Sequence, residues 1–294
     1  GSMFGNINPM GANTEPVASA LPADGWACSC GKTGITSKFC PECGSPKPAP
    51  ADTGLVFVRT DLEGRPQIHA TAANVSSTMR ATTVEENGCK VFTIEHLMSA
   101  LHALRIDNCY IEIDAEEPPV ADGSSLAFFQ KLQAAGVVEL SAPRREIVID
   151  KVYRIDDDEH RRFVMVLPYD GFRVSFTSLN PHKLIGVQYE NFEITPDLYE
   201  REIAPARTIA YEKEIEALRS MGLGLGGTLE SVIVYNDEGW LNPLHFEDEL
   251  VRHKILDVIG DLRLAGPVRG HVIAVASGHA LNTSLAKKLQ ASLG

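Results

Sequence analysis

The stretch FEDELVRHKILDVIGDL, residues 246–262, predicts one amphipathic helix, because its apolar side chains recur every three or four positions. His253, Asp257 and Asp261 are spaced four residues apart and therefore project from one face of that helix. An imidazole and a carboxylate one turn apart can bind the same cation. Such spacing is more often a solvated helix face, but apolar neighbours predict burial here, where polar groups without a use are costly. The stretch therefore predicts part of a metal site.

A second segment has the same order of predicted elements. TIEHLMSAL, residues 93–101, places His96 on a helix that is followed by a strand, a glycine turn and a helix containing KLQA. The helix with His253 is followed by the same elements, and one offset of 157 residues relates the two histidines (96 to 253) and the two KLQA tetrads (131 to 288). This pattern predicts a duplicated α+β unit, with the boundary between the halves near residues 141–145.

The duplicated unit supplies a third metal ligand. A catalytic zinc takes three protein ligands and leaves a position for water, and His96 stands where the first half matches His253. Glu95 directly precedes His96, so it points elsewhere on the helix and is better placed to take a proton from water at the metal. His279, in SGHALN at the start of the last helix, is a further candidate, and the alternative for it is a neighbour of the helix cap.

Four of the six cysteines lie close together, in the segments CSCG and CPECG. Two turns that each offer thiolates beside a glycine are typical of a zinc ribbon with a structural ion. Clustered cysteines also favour a reducing compartment, the cytoplasm by default. The first pair is spaced C-x-C, and a redox dithiol or a chance cluster is the alternative. The predicted ligands are Cys28, Cys30, Cys40 and Cys43.

The composition is that of an ordinary soluble globular chain, with 44% hydrophobic and 22% charged residues. The formal net charge is −12, whereas a protein that tracks nucleic-acid phosphates is usually basic, so we do not expect a nucleic-acid partner. The sequence contains no run of about 18 apolar residues, so it predicts no transmembrane helix. We expect a monomer that binds a small molecule, and the partner of the ribbon is left open.

Strands and helices alternate along the rest of the chain, which predicts the α+β class. The predicted strands are residues 55–59, 91–92, 109–113, 146–149, 163–167, 173–177, 232–235 and 272–276. The predicted helices are residues 93–104, 125–135, 211–221, 246–265 and 281–293. The predicted units are a flexible leader with a tag scar (1–25), the ribbon (26–46) and two halves (47–141 and 142–294).

Seven strings in this order resemble the UDP-3-O-acyl-N-acetylglucosamine deacetylases of lipid A biosynthesis, and the resemblance runs from about Lys47 to the C-terminus. They are TIEHLMSAL, IDNCYIEID, PPVADGSS, APART, GLGLGGTLESVIV, FEDELVRHKILDVIGDL and SGHALN. The resemblance implies two α+β domains, each a sheet layered with a pair of helices, with the active site between them. It also implies zinc-dependent removal of an acetyl group from an acylated sugar nucleotide.

Residue roles follow from the same resemblance. It implies a catalytic zinc held by His96, His253 and Asp257. Glu95 would be the general base and His279 the general acid. The supporting residues would be Asp261, which orients the acid, Thr208, which donates to the oxyanion, and Lys254, which lies near the anionic part of the substrate.

The family also carries a β-α-β insert that forms a tunnel for the acyl chain, and residues 203–235 match it. Ile209, Leu218 and Leu225 are candidate lining residues, although ordinary core packing fits each of them singly. Ile209 stands where the family usually has an aromatic residue, and a cysteine ribbon replaces the family's opening strand. The rival hypothesis is therefore a diverged, weakly active relative that serves as a zinc-ribbon interaction module.

Overall fold

The computed structural model describes residues 25–28, 30–45, 47, 52–222 and 229–293. The predicted leader, apart from Gly25, and the tunnel candidate Leu225 lie outside these residues. Among the described helices, none has the length and apolar character needed to cross a membrane.

Strands and helices both occur along the described chain, but they do not alternate regularly as the sequence predicts, because runs of five strands precede the first and the third helix. The strands are β1 (Leu55–Arg59), β2 (Gln67–His69), β3 (Val75–Ser77), β4 (Thr83–Glu86), β5 (Cys89–Val91), β6 (Cys109–Ile113), β7 (Ile147–Val148), β8 (Tyr153–Asp157), β9 (Arg162–Leu167), β10 (Phe172–Leu179), β11 (Val187–Glu193), β12 (Ile209–Tyr211), β13 (Ile233–Tyr235) and β14 (Val268–Val275). The helices are α1 (Glu95–Ala103), α2 (Leu126–Ala135), α3 (Pro196–Leu198), α4 (Glu212–Ser220), α5 (Glu249–Leu262) and α6 (His279–Ala291). A π-helical turn over Tyr199–Ile203 continues α3, and two 3₁₀ turns cover Ala72–Asn74 and Arg263–Ala265.

Each half builds its own sheets. In the first half β2, β1 and β6 form one sheet and β3, β4 and β5 another. In the second half the order is β11-β10-β14-β9-β8, with β7 beside β14, and β12 and β13 form a separate parallel pair. In each half, two parallel strands that pair with each other are separated along the chain by a segment that contains a helix. In the first half β1 pairs with β6 and α1 lies between them in the sequence, and in the second half β10 pairs with β14 and α5 lies between them. The structure is therefore a mixed α/β fold.

Helices α1 and α5 join the two halves into one hydrophobic core. Met98 and Leu101 of α1 and Ile255 and Ile259 of α5 are all fully buried in the same apolar cluster. Gly260 lies where α5 meets the first turn of α1, and a Cβ there would collide with the carbonyl oxygen of Glu95. Glycine is therefore what lets the two helix backbones approach this closely.

The predicted helix over residues 246–265 is shorter in the structure, because α5 begins at Glu249 and becomes a 3₁₀ turn after Leu262. The predicted strands 55–59 and 109–113 have the observed bounds. Six strands were not predicted: β2, β3, β4, β8, β11 and β12. Most of these are short or carry charged and half-exposed side chains, so they lack the apolar run or alternation that identifies a strand.

We predict that Gly260→Ala destabilises the protein, because overpacking a tight interior contact typically costs about 1–3 kcal/mol. Urea unfolding should show this loss in the free energy of unfolding. Gly278→Ala is the matched control, since the structure leaves open space for a Cβ at Gly278. Equal unfolding free energies for the wild type and Gly260→Ala would contradict the required close approach of α1 and α5.

Candidate active site

The three predicted metal ligands meet where α1 crosses α5. His96 is the second residue of α1, and His253 and Asp257 lie on successive turns of α5. The Nε2 atoms of both histidines are 3.5 Å from Asp257 Oδ1. One potential ligand atom from each of the three residues lies within 4.8 Å of the other two. The structure thus brings together side chains from both halves.

The loop before β12 fixes the orientation of His253. Its Nδ1 is 2.9 Å from the backbone oxygen of Ala206. A carbonyl oxygen only accepts, so Nδ1 carries the proton and the lone pair of Nε2 faces Asp257. Burial lowers the pKa of His253 to about 4, so the ring is neutral near pH 7. A neutral imidazole held in this way is prepared to bind a metal.

Asp257 carries the clearest sign that a cation belongs here. Burial opposes its ionisation, but the neighbouring imidazoles of His253, His96 and His279 hold its pKa far below the usual range. Its Oδ1 is fully buried and has no hydrogen-bond partner among the described residues. An ionised oxygen in that state is costly unless a cation satisfies it. Two imidazole nitrogens and one carboxylate oxygen suit zinc, so these residues fit the ion.

Glu95 and His279 face each other beside this cluster, with Glu95 Oε1 3.7 Å from His279 Nε2. Burial raises the pKa of Glu95 to about 7. Burial also lowers the pKa of His279, but the negative charge of Asp261 and a hydrogen bond to it prevail and raise that pKa to about 10. A buried carboxylate and a protonated imidazole in contact are suited to move protons in opposite directions.

Asp261 orients the imidazole of His279. Its Oδ2 accepts hydrogen bonds from His279 Nδ1 at 2.8 Å and from Asn282 Nδ2 at 3.0 Å. Its Oδ1 accepts one from the hydroxyl of Thr82 at 2.6 Å. Sequence reasoning missed Thr82, Asn282 and the carbonyl of Ala206. The SGHALN string contains Asn282, but nothing local marks Thr82 or a backbone oxygen that is used from a distance.

Thr208 lies beside the cluster, and a buried ion pair holds it there. Its hydroxyl is 3.4 Å from His253 Nε2 and 3.3 Å from the carbonyl oxygen of Gly123. The preceding residue, Arg207, donates from Nε to Glu249 Oε1 at 2.9 Å. Glu249 is fully buried at the start of α5, so this pair fixes the loop against the helix that carries His253.

The remaining predicted site residues lie around the cluster rather than in it. Lys254 follows His253 on α5 and is partly exposed. Ile209 on β12 packs against the separate apolar cluster of Ile185, Tyr235 and Leu250. Leu218 is half-buried on α4, a helix with no fully buried residue.

The four clustered cysteines also converge. Cys28 Sγ is 3.5 Å from Cys43 Sγ, and Cys30 Sγ is 3.6 Å from Cys40 Sγ. Two tight turns carry them, in which Gly31 N donates to the Cys28 oxygen and Gly44 N donates to the Cys40 oxygen. One sulfur from each cysteine lies within 4.8 Å of the others, so the set fits a tetrahedral thiolate site.

Three converging side chains that fit a metal ion, beside a carboxylate and an imidazole suited to proton transfer, are typical of a metal-dependent hydrolase. Comparison with known proteins makes this class specific, because residues 45–291 match the family model for UDP-3-O-acyl N-acetylglycosamine deacetylase. The chain belongs to this family. The matched region begins after the fourth clustered cysteine.

Curated relatives agree over most of the chain. UDP-3-O-acyl-N-acetylglucosamine deacetylase of Bdellovibrio bacteriovorus is 43% identical over 83% of this chain and 81% of its own length. The proteins of the same name from Anaeromyxobacter dehalogenans and Hahella chejuensis are 44% and 42% identical, again over 83% of this chain and over 79% and 82% of their own lengths.

We predict that His253→Ala removes one bound metal ion per chain, because two ligands no longer hold a cation that needs three. Glu95→Ala should keep the ion, since the three proposed ligands remain in place. Metal content measured by elemental analysis of purified protein checks both. The control is His160→Ala, which changes an exposed histidine paired with Asp157. A metal-free Glu95→Ala variant would make Glu95 a ligand and contradict this arrangement.

Proposed function

We propose that this chain is a zinc-dependent amidohydrolase that removes the N-acetyl group of UDP-3-O-(3-hydroxyacyl)-N-acetylglucosamine and releases acetate, the committed step of lipid A biosynthesis. The observation that carries the proposal is the convergence of His96 with the buried His253 and Asp257 within a chain that matches the deacetylase family over residues 45–291. No observation favours the rival hypothesis of an interaction module with weak activity. The clustered free cysteines support action in the reducing cytoplasm.

The residues divide the chemistry between them. A zinc ion held by the triad would supply a Lewis acid for the amide carbonyl and for the attacking water. Glu95 takes a proton from the water through Oε1 as the water oxygen bonds to the acetyl carbon. His279 gives its Nε2 proton to the sugar nitrogen as the carbon–nitrogen bond breaks. The products are acetate and the free amine, so every atom is accounted for.

Three further residues support this reaction. Asp261 keeps the imidazole of His279 aimed at the nitrogen through the bond to Nδ1. The hydroxyl of Thr208, next to His253, is placed to donate to the oxygen on which negative charge develops. Lys254, partly exposed on the same helix, would attract the anionic part of the nucleotide.

We also propose that residues 47–141 and 142–294 are two domains derived from one duplicated unit. The support is that each half places a ligand-bearing helix between two parallel strands, with a further helix after the second strand. The second half differs by an insert over residues 203–235, in which β12, α4 and β13 form a β-α-β unit.

This insert would bind the acyl chain. Leu218 and Ile215 leave an incompletely buried apolar face on α4, and the half-buried Ile209 belongs to β12 of the same unit. Such a face is unfavourable in water unless an apolar ligand or another element covers it. A fatty chain would fit this need, and each methylene that it buries is worth about 0.8 kcal/mol.

We predict acetate release from the acylated sugar nucleotide, and turnover orders of magnitude slower without the 3-O-acyl group, because remote binding energy aligns the distant amide. Glu95→Ala should lose about 10²–10⁴-fold in rate. Acetate can be measured in a coupled assay. An inactive wild type with its zinc bound would overturn the proposed function.

The tunnel itself has a matched pair of variants. Leu218→Asp should lower kcat/KM for the acylated substrate only, because it places a charge on the half-buried face of α4. Ala217→Asp introduces the same charge on the exposed face and should change little. Equal rates on acylated and non-acylated substrate would contradict the tunnel, and the apolar residues of the insert would then serve only in core packing.

We propose that residues 26–46 form a zinc ribbon whose ion is structural and separate from the catalytic one. The support is the convergence of Cys28, Cys30, Cys40 and Cys43 on two turns, with Trp26 and Ile35 bridging the segment through paired backbone hydrogen bonds of 3.0 Å. So small a unit has little apolar core, so a metal would supply much of its folding energy.

We predict two zinc ions per chain. Cys40→Ser should lose one ion and keep most of the deacetylase activity, because the ribbon lies outside the chemistry. His253→Ala should lose the other ion together with the activity. Elemental analysis and the acetate assay on the two variants test this. A single zinc per wild-type chain that disappears in His253→Ala would eliminate the ribbon as a metal site.

A further inference from the structure

Thr82 joins the two sides of the proton-transfer site. It immediately precedes β4 and is fully buried. Its backbone nitrogen donates to Glu95 Oε2 at 3.1 Å, and its hydroxyl donates to Asp261 Oδ1 at 2.6 Å. Its carbonyl oxygen accepts a hydrogen bond of 3.2 Å from the backbone nitrogen of Ile94. One residue thus contacts both the start of α1 and the end of α5.

We propose that Thr82 is a positioning residue that sets the orientation of the Glu95 carboxylate and, through Asp261, that of the His279 imidazole. The inference rests on the proposed function, which gives Glu95 and His279 their roles. It adds that one residue of the first half orients both the proposed base, Glu95 of the first half, and the proposed acid, His279 of the second half.

The backbone of Thr82 decides which oxygen of Glu95 is free to react. Its amide holds Oε2, and Oε1 is then the oxygen that faces His279 Nε2 at 3.7 Å. Glu95 is buried, so bulk water does not compete for Oε2. The amide therefore resists the rotation that would exchange the two oxygens, and Oε1 is the atom that takes the proton.

The hydroxyl of Thr82 acts on the acid. Asp261 is fully buried, and its Oδ2 already accepts from His279 and Asn282. Among the described residues, the Thr82 hydroxyl is the donor that reaches Oδ1. Without it, a buried carboxylate oxygen loses its partner and the carboxylate turns toward another donor. The His279 ring, bonded to the same carboxylate, turns with it and no longer aims Nε2 at the leaving nitrogen.

Thr82→Val tests this, because valine keeps the shape and the backbone amide but removes the hydroxyl. We expect kcat to fall by about 10- to 100-fold, as for a lost hydrogen bond to a buried charge. KM and the number of bound zinc ions should stay unchanged, because neither the ligands nor the insert is altered. Thr82→Ser should restore most of kcat.

Thr83→Val is the matched control. Thr83 is also buried and is the next residue in the chain, but the structure shows no bond from its side chain to Glu95 or Asp261. It should keep kcat. Asp261→Asn should lower kcat, and adding Thr82→Val to it should lower kcat little further, because the two changes break the same connection.

A second measurement does not need turnover. The proton that His279 Nδ1 donates to Asp261 should give a downfield NMR signal that His279→Ala removes. In Thr82→Val this signal should shift or vanish, and in Thr83→Val it should remain. An unchanged signal with unchanged kcat in Thr82→Val overturns the positioning role, as does an equal loss in Thr83→Val. An inactive wild type would instead overturn the proposed function, and the signal would still report on Thr82.

Discussion

The contact between α1 and α5 is the interaction on which the rest of the structure depends. His96 and Glu95 stand on the first turn of α1, whereas His253, Asp257 and Asp261 occupy three turns of α5. These residues meet because Gly260 has no side chain where the Glu95 carbonyl approaches. The sheets support the two helices, and the apolar faces of α1 and α5 merge the halves into one core. A wider helix spacing would separate the ligands and remove the site.

Burying so many charges requires a partner for almost every polar atom, and the partners show what each group is for. Glu249 is satisfied by Arg207 and by backbone amides, so its function is to hold a loop. Asp261 accepts hydrogen bonds from Thr82, His279 and Asn282, so it holds the imidazole ring of His279 in place. Asp257 Oδ1 alone among these carboxylate oxygens lacks a donor. The presence or absence of hydrogen-bond donors therefore distinguishes the carboxylates that hold the structure together from Asp257, which fits a cation.

The spacing of residues along the sequence predicted the site residues that share a helix, but it could not predict the contacts between residues far apart in the chain. His253, Asp257 and Asp261 share a helix face at intervals of four, so the sequence alone placed them together. His96 required the internal repeat, and the family resemblance was needed to give His279 a role. Thr82 lies 179 residues from Asp261, and Ala206 contributes a backbone oxygen, so no periodicity marks either. Strands such as β8, with the sequence YRIDD, depend on neighbours in the sheet rather than on their own apolar pattern.

The proposed duplication also accounts for the finding that a cluster of two histidines and one aspartate occurs once among the described residues. The offset that relates His96 to His253 places Ala100 opposite Asp257 and Leu104 opposite Asp261. Ala100 is fully buried, so the first half uses that helix position for packing where the second half has a carboxylate. A second triad related to the first by this offset would need its carboxylate at position 100, where Ala100 offers no ligand atom. Each half instead contributes one histidine to the cluster, and Glu95 and His279, which face each other, also come from different halves, so neither half can form the cluster without the other.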